Sequence, residues 1–462
     1  MTNRRQFMGG VGGGLVGLAL PELFAQDRPR PHHPPRARAV IQLFMSGAAS
    51  TCDMYDHKPS LEKHAGEPFD PGGRVELFQS SPGVVMPSPW KWRRHGESGL
   101  PMSSLVPRLA EVVDDLAFIR SMTTRTNVHG PATFFGATGF VRPGFPAAGA
   151  WLSWGLGSAN DDLPTFVALP DERGLPPGGP RNWAAGFLPA EHQGITLWPG
   201  REEPLRNLRP NSDADWVKDP AGDERDRSLL AELGRIHGGG REEDDRLAAR
   251  MRAFELTARL QLAAPEALDT TGESAATRRL YGLDDPVTAD FGRRCLVARR
   301  LVERGVRFVQ VWSGADNGFP RRNWDSHENL ERDHGSMGRS MDGPAAALVA
   351  DLKGRGLLDE VLVNWTTEFG RMPCAQGALG RDHNPDGFTC WLAGGGVRGG
   401  VEYGATDEWG YRAADAPVEV HDVHATMLHL LGFDHERMVV RHEGLDRRLT
   451  DVHGHVLTEL LA

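Results

Sequence analysis

The chain has 462 residues, 39% hydrophobic and 25% charged, a globular composition that supplies a large core and leaves disorder a minor theme. Lys+Arg of 52 against Asp+Glu of 62 gives a net charge of -10, with no basic patch beyond scattered arginine pairs, which argues against a nucleic-acid partner. Four cysteines without a C-x-x-C pair argue against a zinc ribbon or a c-type haem, and they fix no disulfide.

Residues 1–26 read as an address. Asn3-Arg4-Arg5-Gln6-Phe7-Met8 places two arginines and a spacer before an apolar pair. A weakly apolar, Gly-rich stretch follows over residues 8–20, and a small residue, Ala25, stands at the end. That order resembles a twin-arginine export signal. Its glycines, and an apolar run below roughly 18 residues, argue against a spanning helix. The mature chain is therefore expected in the periplasm or outside the cell, with no transmembrane segment. Residues 27–38 are Pro- and His-rich and are expected to form a disordered lead-in.

Apolar runs predict strands over residues 39–45, 116–120, 306–312, 361–365 and 388–393. Helical patterns cover residues 103–115, 289–304 and 345–356. Strands alternating with helices give an α/β fold, a largely parallel central sheet with helices on both faces. Residues from about 174 to 264 begin Gly-, Pro-, Trp- and Arg-rich and continue as a charged helical stretch. They read as an irregular and helical insertion over the mouth of the sheet.

In such sheets the ligand lies beyond the carboxyl ends of the strands. Asp53 and Asp56 follow the first strand, and Thr123 to His129 follow the second. Asp325 and His327, with His334 further on, follow the third, and Glu368 with Arg371 follows the fourth. Arg381, Asp382 and His383 stand just before the fifth. Carboxylates and imidazoles gathered at one sheet edge are a ligand set for divalent ions. Two such ions could polarise an ester oxygen and activate a nucleophile. Taken singly, any of these residues is more often a helix cap or a solvated loop residue.

The order of these groups resembles the alkaline-phosphatase and sulfatase superfamily. Asp422-Val423-His424-Ala425-Thr426-Met427-Leu428-His429-Leu430-Leu431-Gly432 is similar to a late helix of sulfatases. More narrowly, Met54-Tyr55-Asp56-His57-Lys58-Pro59, Glu368-Phe369-Gly370-Arg371 and Gly380-Arg381-Asp382-His383-Asn384-Pro385 resemble the exported bacterial family called domain of unknown function 1501. Ala393-Gly394-Gly395-Gly396 and Arg448-Leu449-Thr450-Asp451-Val452 extend that likeness over roughly residues 40–462. The resemblance implies an alkaline-phosphatase-like fold with divalent metals, zinc, manganese or calcium. Asp53, Asp325, His327, Glu368 and His383 would be the ligands, with Asp382 and His334 in reserve.

Two departures matter. Glu368-Phe369 stands where the superfamily has Asp-His. His129 stands where sulfatases have the Cys that becomes formylglycine and phosphatases have Ser or Thr, so formylglycine chemistry is not expected. His129 is placed at the reaction centre, as a metal ligand, a hydrogen-bonding residue or a nucleophile. Arg371 and Arg381 are candidates to orient an anion. Two readings follow: a metal-dependent hydrolase of small anionic esters, phosphate, sulfate or glycan-derived, or a metal- or glycan-binding scaffold without turnover. Trp183, Trp198 and Trp216 could stack on a sugar, although a place in the core is commoner. His421, His424 and His429 share a helical span and are expected on its outer face. No G-x-S-x-G elbow is present, which disfavours a serine esterase.

Overall fold

The computed structural model describes residues 30–205 and 264–462, apart from residues 79, 161, 317, 319 and 320, together with residues 225, 228, 229, 232, 233 and 236. The export-type signal, the part of the expected irregular stretch that contains Trp216, and most of the charged helical stretch lie outside the described residues.

Ten strands position the site. They are β1 (Ala39–Met45), β2 (Leu116–Met122), β3 (Phe166–Leu169), β4 (Ile195–Thr196), β5 (Phe308–Ser313), β6 (Val361–Thr366), β7 (Gly370–Gln376), β8 (Gly380–Asn384), β9 (Phe388–Ala393) and β10 (Val401–Tyr403). Eight form one sheet in the order β10-β2-β9-β6-β1-β5-β3-β4. The pairings of β1 with β5 and β6, β5 with β3, β3 with β4, and β2 with β10 are parallel. Strand β9 runs antiparallel to both β2 and β6. Its amino end therefore lies at the edge where β1, β2, β5 and β6 have their carboxyl ends. That reversal is why a residue before β9 can meet residues that follow the other strands.

Both faces of the sheet are covered, as the unbroken apolar runs require. Ile41, Leu43 and Met45 of β1 pack with Leu296, Val297, Met341 and Leu348 of helices α3 (Ala289–Glu303) and α4 (Leu330–Gly354). Val40 and Phe44 point the other way, toward Trp151 and Leu152 of α2 (Ala148–Leu156) and Met427 and Leu428 of α5 (Val420–Leu430). Helix α1 (His129–Thr138) follows β2 and ends at Gly139, whose φ of 79° closes the helix without a Cβ penalty. Among the described residues no helix is long and apolar enough to cross a membrane.

Several expectations change. The helix expected over residues 103–115 is a short strand, Leu100–Ser103, followed by 3-10 turns over Leu109–Asp115. Pro107 interrupts the run, and the Asp342 carboxylate takes the Arg108 and Leu109 N–H groups at 2.8 Å each. The helix expected from residue 345 begins at Leu330, because Gly335, Gly338, Gly343 and Pro344 obscure its first turns in the sequence. Part of the expected insertion, Ile195–Thr196, is an edge strand of the sheet. The segment before β1, expected as a disordered lead-in, donates N–H groups of His32 and Arg36 to the carbonyls of Gly432 and Leu430. His421 and His424 are buried instead of lying on the outer face of α5, with His421 bonded to the Gly139 carbonyl at 2.9 Å.

Candidate metal centre

The four strand ends and the β7–β8 hairpin meet at one edge of the sheet. Asp325 stands at the middle of what they bring together, 3% exposed. Its Oδ1 lies 2.8 Å from His327 Nε2 and 3.4 Å from the Nε2 atoms of His129 and His383. His327 and His383 Nε2 are 3.0 Å apart.

What holds each ring decides what its inner nitrogen can do. His129 Nδ1 is 2.7 Å from Glu368 Oε1, and His383 Nδ1 is 2.7 Å from the Asn127 carbonyl oxygen. His327 Nδ1 contacts the side-chain oxygen of Gln376. Each outer partner is an acceptor, so a ring whose Nδ1 carries the hydrogen would present Nε2 as its inner ligand atom once neutral.

The spacing suits an ion held by three side chains at a time. Donors about 2.1 Å from one tetrahedral ion lie about 3.4 Å from one another, which is the separation of Asp325 Oδ1 from the Nε2 atoms of His129 and His383. His129, Asp325 and His383 form one group able to hold an ion, and His327, Asp382 and His383 form a second that shares a ring with it. Outer partners that fix the tautomer and angle of each ligand are what such sites need.

In the metal-free chain the buried charges compensate one another. Burial opposes a charged Asp325, but Arg371 and the three imidazoles outweigh it and hold its carboxyl far below the usual range. Burial likewise opposes a charged His129, yet Asp325 and Glu368 raise it to about 9. Burial, aided by the nearby Arg371 and His129, pushes His383 down to about 4 despite its contact with Asp325. Two aromatic rings border the cluster. Phe369 stacks on His129 at 5.0 Å between centroids, and Phe78 lies on His383 at 4.8 Å and 13°.

The sequence profile described as "Protein of unknown function (DUF1501)" matches residues 37–461. The chain belongs to the DUF1501 family. No curated protein matches it. Among solved structures, this DUF1501 chain is similar to the PsFucS1 sulfatase from Pseudoalteromonas sp. at 13% identity, over 94% of this chain and 73% of that one, with a TM-score of 0.34. A phosphonate monoester hydrolase from Silicibacter pomeroyi matches at 12% identity, over 71% and 68% of the two chains, with a TM-score of 0.33. An alkaline phosphatase from the Antarctic bacterium TAB5 matches at 9% identity, over 86% and 98%, with a TM-score of 0.34.

Within this DUF1501 structure the expected site residues divide. Asp325, His327, His383 and Asp382 come together as possible ligands, and His129 joins them through Nε2. Glu368 does not face the ligand atoms. Its Oε1 takes the His129 ring and the Gly47 N–H, both at 2.7 Å, so it fixes that ring instead of offering an oxygen to the cluster. Asp53 is also withdrawn, because the Arg381 guanidinium at 2.9 Å and the Ser50 hydroxyl at 2.5 Å occupy its carboxylate. His334 leaves the set too. Its Nε2 accepts the Ser50 N–H at 2.9 Å, and burial, with Arg371 and Arg381 nearby, holds the ring neutral.

Neither arginine is placed to orient an outside anion. Arg371 spends its donors on the carbonyls of Ala48 at 2.8 Å and Gly47 at 2.5 Å, and on Asp325 at 2.7 Å. Arg381 binds Asp53 and the carbonyls of Met372 and Met86 at 3.0 Å each. Both side chains are fully buried. Trp183 is buried as well, with its indole N–H on the Thr196 hydroxyl at 3.0 Å, and Trp198 carries Arg201 on its face at 3.5 Å. Neither is an open platform for a sugar. Sequence reasoning missed Gln376, Phe78 and the Asn127 carbonyl, because no local pattern marks an acceptor that serves a ring far away in the chain.

Proposed function

We propose that this chain is a metal-dependent hydrolase of small anionic esters, phosphate or sulfate among them, working outside the cytoplasm. The observation that carries the reading is the convergence of three imidazole Nε2 atoms on one Asp325 oxygen, each ring held from behind by an acceptor. His129, Asp325 and His383 would hold the ion, and His327 and Asp382 would serve with His383 on the adjoining side. Three imidazoles favour zinc or another first-row ion over calcium, which prefers oxygen ligands. Bound there, a divalent ion supplies Lewis acidity toward an ester oxygen and a more acidic water.

The chain's own residues prepare that site. Glu368 fixes the His129 ring, and Arg371 draws off part of the Asp325 charge. Phe369 and Phe78 keep water from the flanks of the rings, which strengthens the electrostatics inside. The export-type residues 1–26 support a place beyond the cytoplasm, and His129 at the nucleophile's position supports chemistry without formylglycine. One observation favours the second reading, a metal-binding scaffold without turnover: His129, at the nucleophile's position, turns Nδ1 to Glu368 and Nε2 toward Asp325 and so aims neither nitrogen at an ester.

Metal analysis of the purified mature chain tests the proposal, followed by a panel of phosphate mono- and diesters and sulfate esters. The expected result is a bound first-row ion, lost in His383→Ala, and hydrolysis that a chelator abolishes and added metal restores. A folded wild-type chain without metal would overturn it, as would hydrolysis that survives both the chelator and His383→Ala. A metal-loaded chain inert on the whole panel would select the scaffold.

A further inference from the structure

The Oδ2 side of Asp325 carries a cation that neither sequence motif nor family likeness singled out. Arg321 Nη1 lies 3.2 Å from Asp325 Oδ2, whereas the three imidazoles gather at Oδ1. The other edge of the guanidinium grips Glu328, with Nη2 2.6 Å from Oε1 and Nε 3.2 Å from Oε2. Exposure separates this arginine from the sealed Arg371. The Arg321 side chain is 17% exposed and that of Glu328 52%, whereas Arg371 is 0% exposed.

A two-bond grip on a carboxylate is the geometry by which a guanidinium takes planar or tetrahedral oxyanions. Glu328 therefore lies where the oxygens of an outside anion would lie. Glu328 is half exposed and can return to water, so an incoming oxyanion can replace its carboxylate without leaving the guanidinium unpaired. The residues bracket the centre, with Arg321 four positions before Asp325 and Glu328 next to His327. An anion that displaces Glu328 is thus delivered beside the ligand atoms.

We propose that Arg321 forms an oxyanion subsite at the rim of the centre, with Glu328 as an internal stand-in that a phosphate or sulfate group displaces. The proposal deepens the hydrolase reading and rests on it for the purpose of the subsite. It restricts the substrate to a compact oxyanion reached by the ion and Arg321 together. The contact of Arg321 with Asp325 also orients that carboxylate.

The test is the binding of inorganic phosphate and sulfate to the full mature chain, by calorimetry, with metal content measured on each sample. Wild type, Glu328→Gln, Arg321→Met and Arg321→Lys are compared, metal-loaded and chelated. Removing the internal competitor in Glu328→Gln is expected to tighten binding by about threefold to tenfold. Arg321→Met is expected to weaken it by about tenfold or more, with Arg321→Lys between that variant and wild type. A merely structural pair would move both variants the same way, so opposite signs are diagnostic. The proposal falls if the wild type binds neither anion, or if Glu328→Gln and Arg321→Met both stay within about twofold of it. Chelated samples read the subsite even in a chain that proves to lack metal. A subsite that fails in a metal-loaded, active chain leaves the hydrolase reading standing.

Discussion

Asp325→Asn keeps the shape of the side chain and removes the charge on which the centre is built. The cost starts with Arg371, fully buried and 2.7 Å from Oδ1. Breaking a buried ion pair from one side costs about 3–5 kcal/mol. The Ala48 and Gly47 carbonyls still hold Arg371, which puts the loss near the lower figure. At an unfolding entropy of about 2.1 cal/mol/K per residue, a chain this long changes by roughly 0.9 kcal/mol per degree, so the chelated variant melts about 3 °C lower. Metal adds a second signature. An ion at a hundred times its dissociation constant stabilises the wild type by about 2.7 kcal/mol, again about 3 °C. If losing the carboxylate weakens binding about a hundredfold, the same concentration contributes only about 0.4 kcal/mol, under about 1 °C. Calorimetric melting of both proteins, chelated and metal-loaded, reads the two effects separately. An unchanged midpoint in the chelated variant, or a full metal-induced shift, would refute the reasoning.

Glu368→Gln should weaken metal binding by about 10- to 100-fold while excess metal restores full occupancy, because the substitution loosens a ligand without deleting one; equilibrium dialysis measures this. The metal-free chain should lose stability as pH rises. His129 is raised from 6.5 to about 9, so its contribution is complete below pH 6.5 and disappears through about pH 9. The depressed Asp325 works in the opposite sense, its contribution present above pH 3.8 and lost only far into acid. Urea unfolding across pH 6 to 10 checks the first, and a flat profile there would count against it. Gly47→Ala should cost about 3 kcal/mol or more: at φ 105° the added Cβ would sit 2.6 Å from the backbone nitrogens of Trp324 and Asp325. Gly130→Ala, with nothing within 4 Å, should stay within about 0.5 kcal/mol and is the control.

The sheet was legible wherever burial on both faces wrote an unbroken apolar run. Val361 to Trp365 and Phe388 to Ala393 announce β6 and β9 in this way. Short strands such as Phe166–Leu169 and the edge strand Ile195–Thr196 were not legible, since a few apolar residues carry no period. Within the site, position after a strand located Asp325, His327 and Glu368, and the reversed β9 brought in His383. Position could not say whom a carboxylate faces. Asp53 and Glu368 follow strands as Asp325 does, yet Arg381 claims the first and His129 the second. Those choices depend on side chains more than 200 residues away, which no local pattern encodes.

Strand β1 lies between β5 and β6, and the stretch just before it is bonded to the end of α5. The ribosome therefore delivers the axis of the sheet first and its two flanking partners hundreds of residues later. Until Phe308–Ser313 and Val361–Thr366 emerge, that apolar ribbon has both edges bare, a state prone to wrong pairing. Closure of such distant contacts is slow. A nascent chain of this design gains little by folding piecemeal, and its survival before release depends on being shielded.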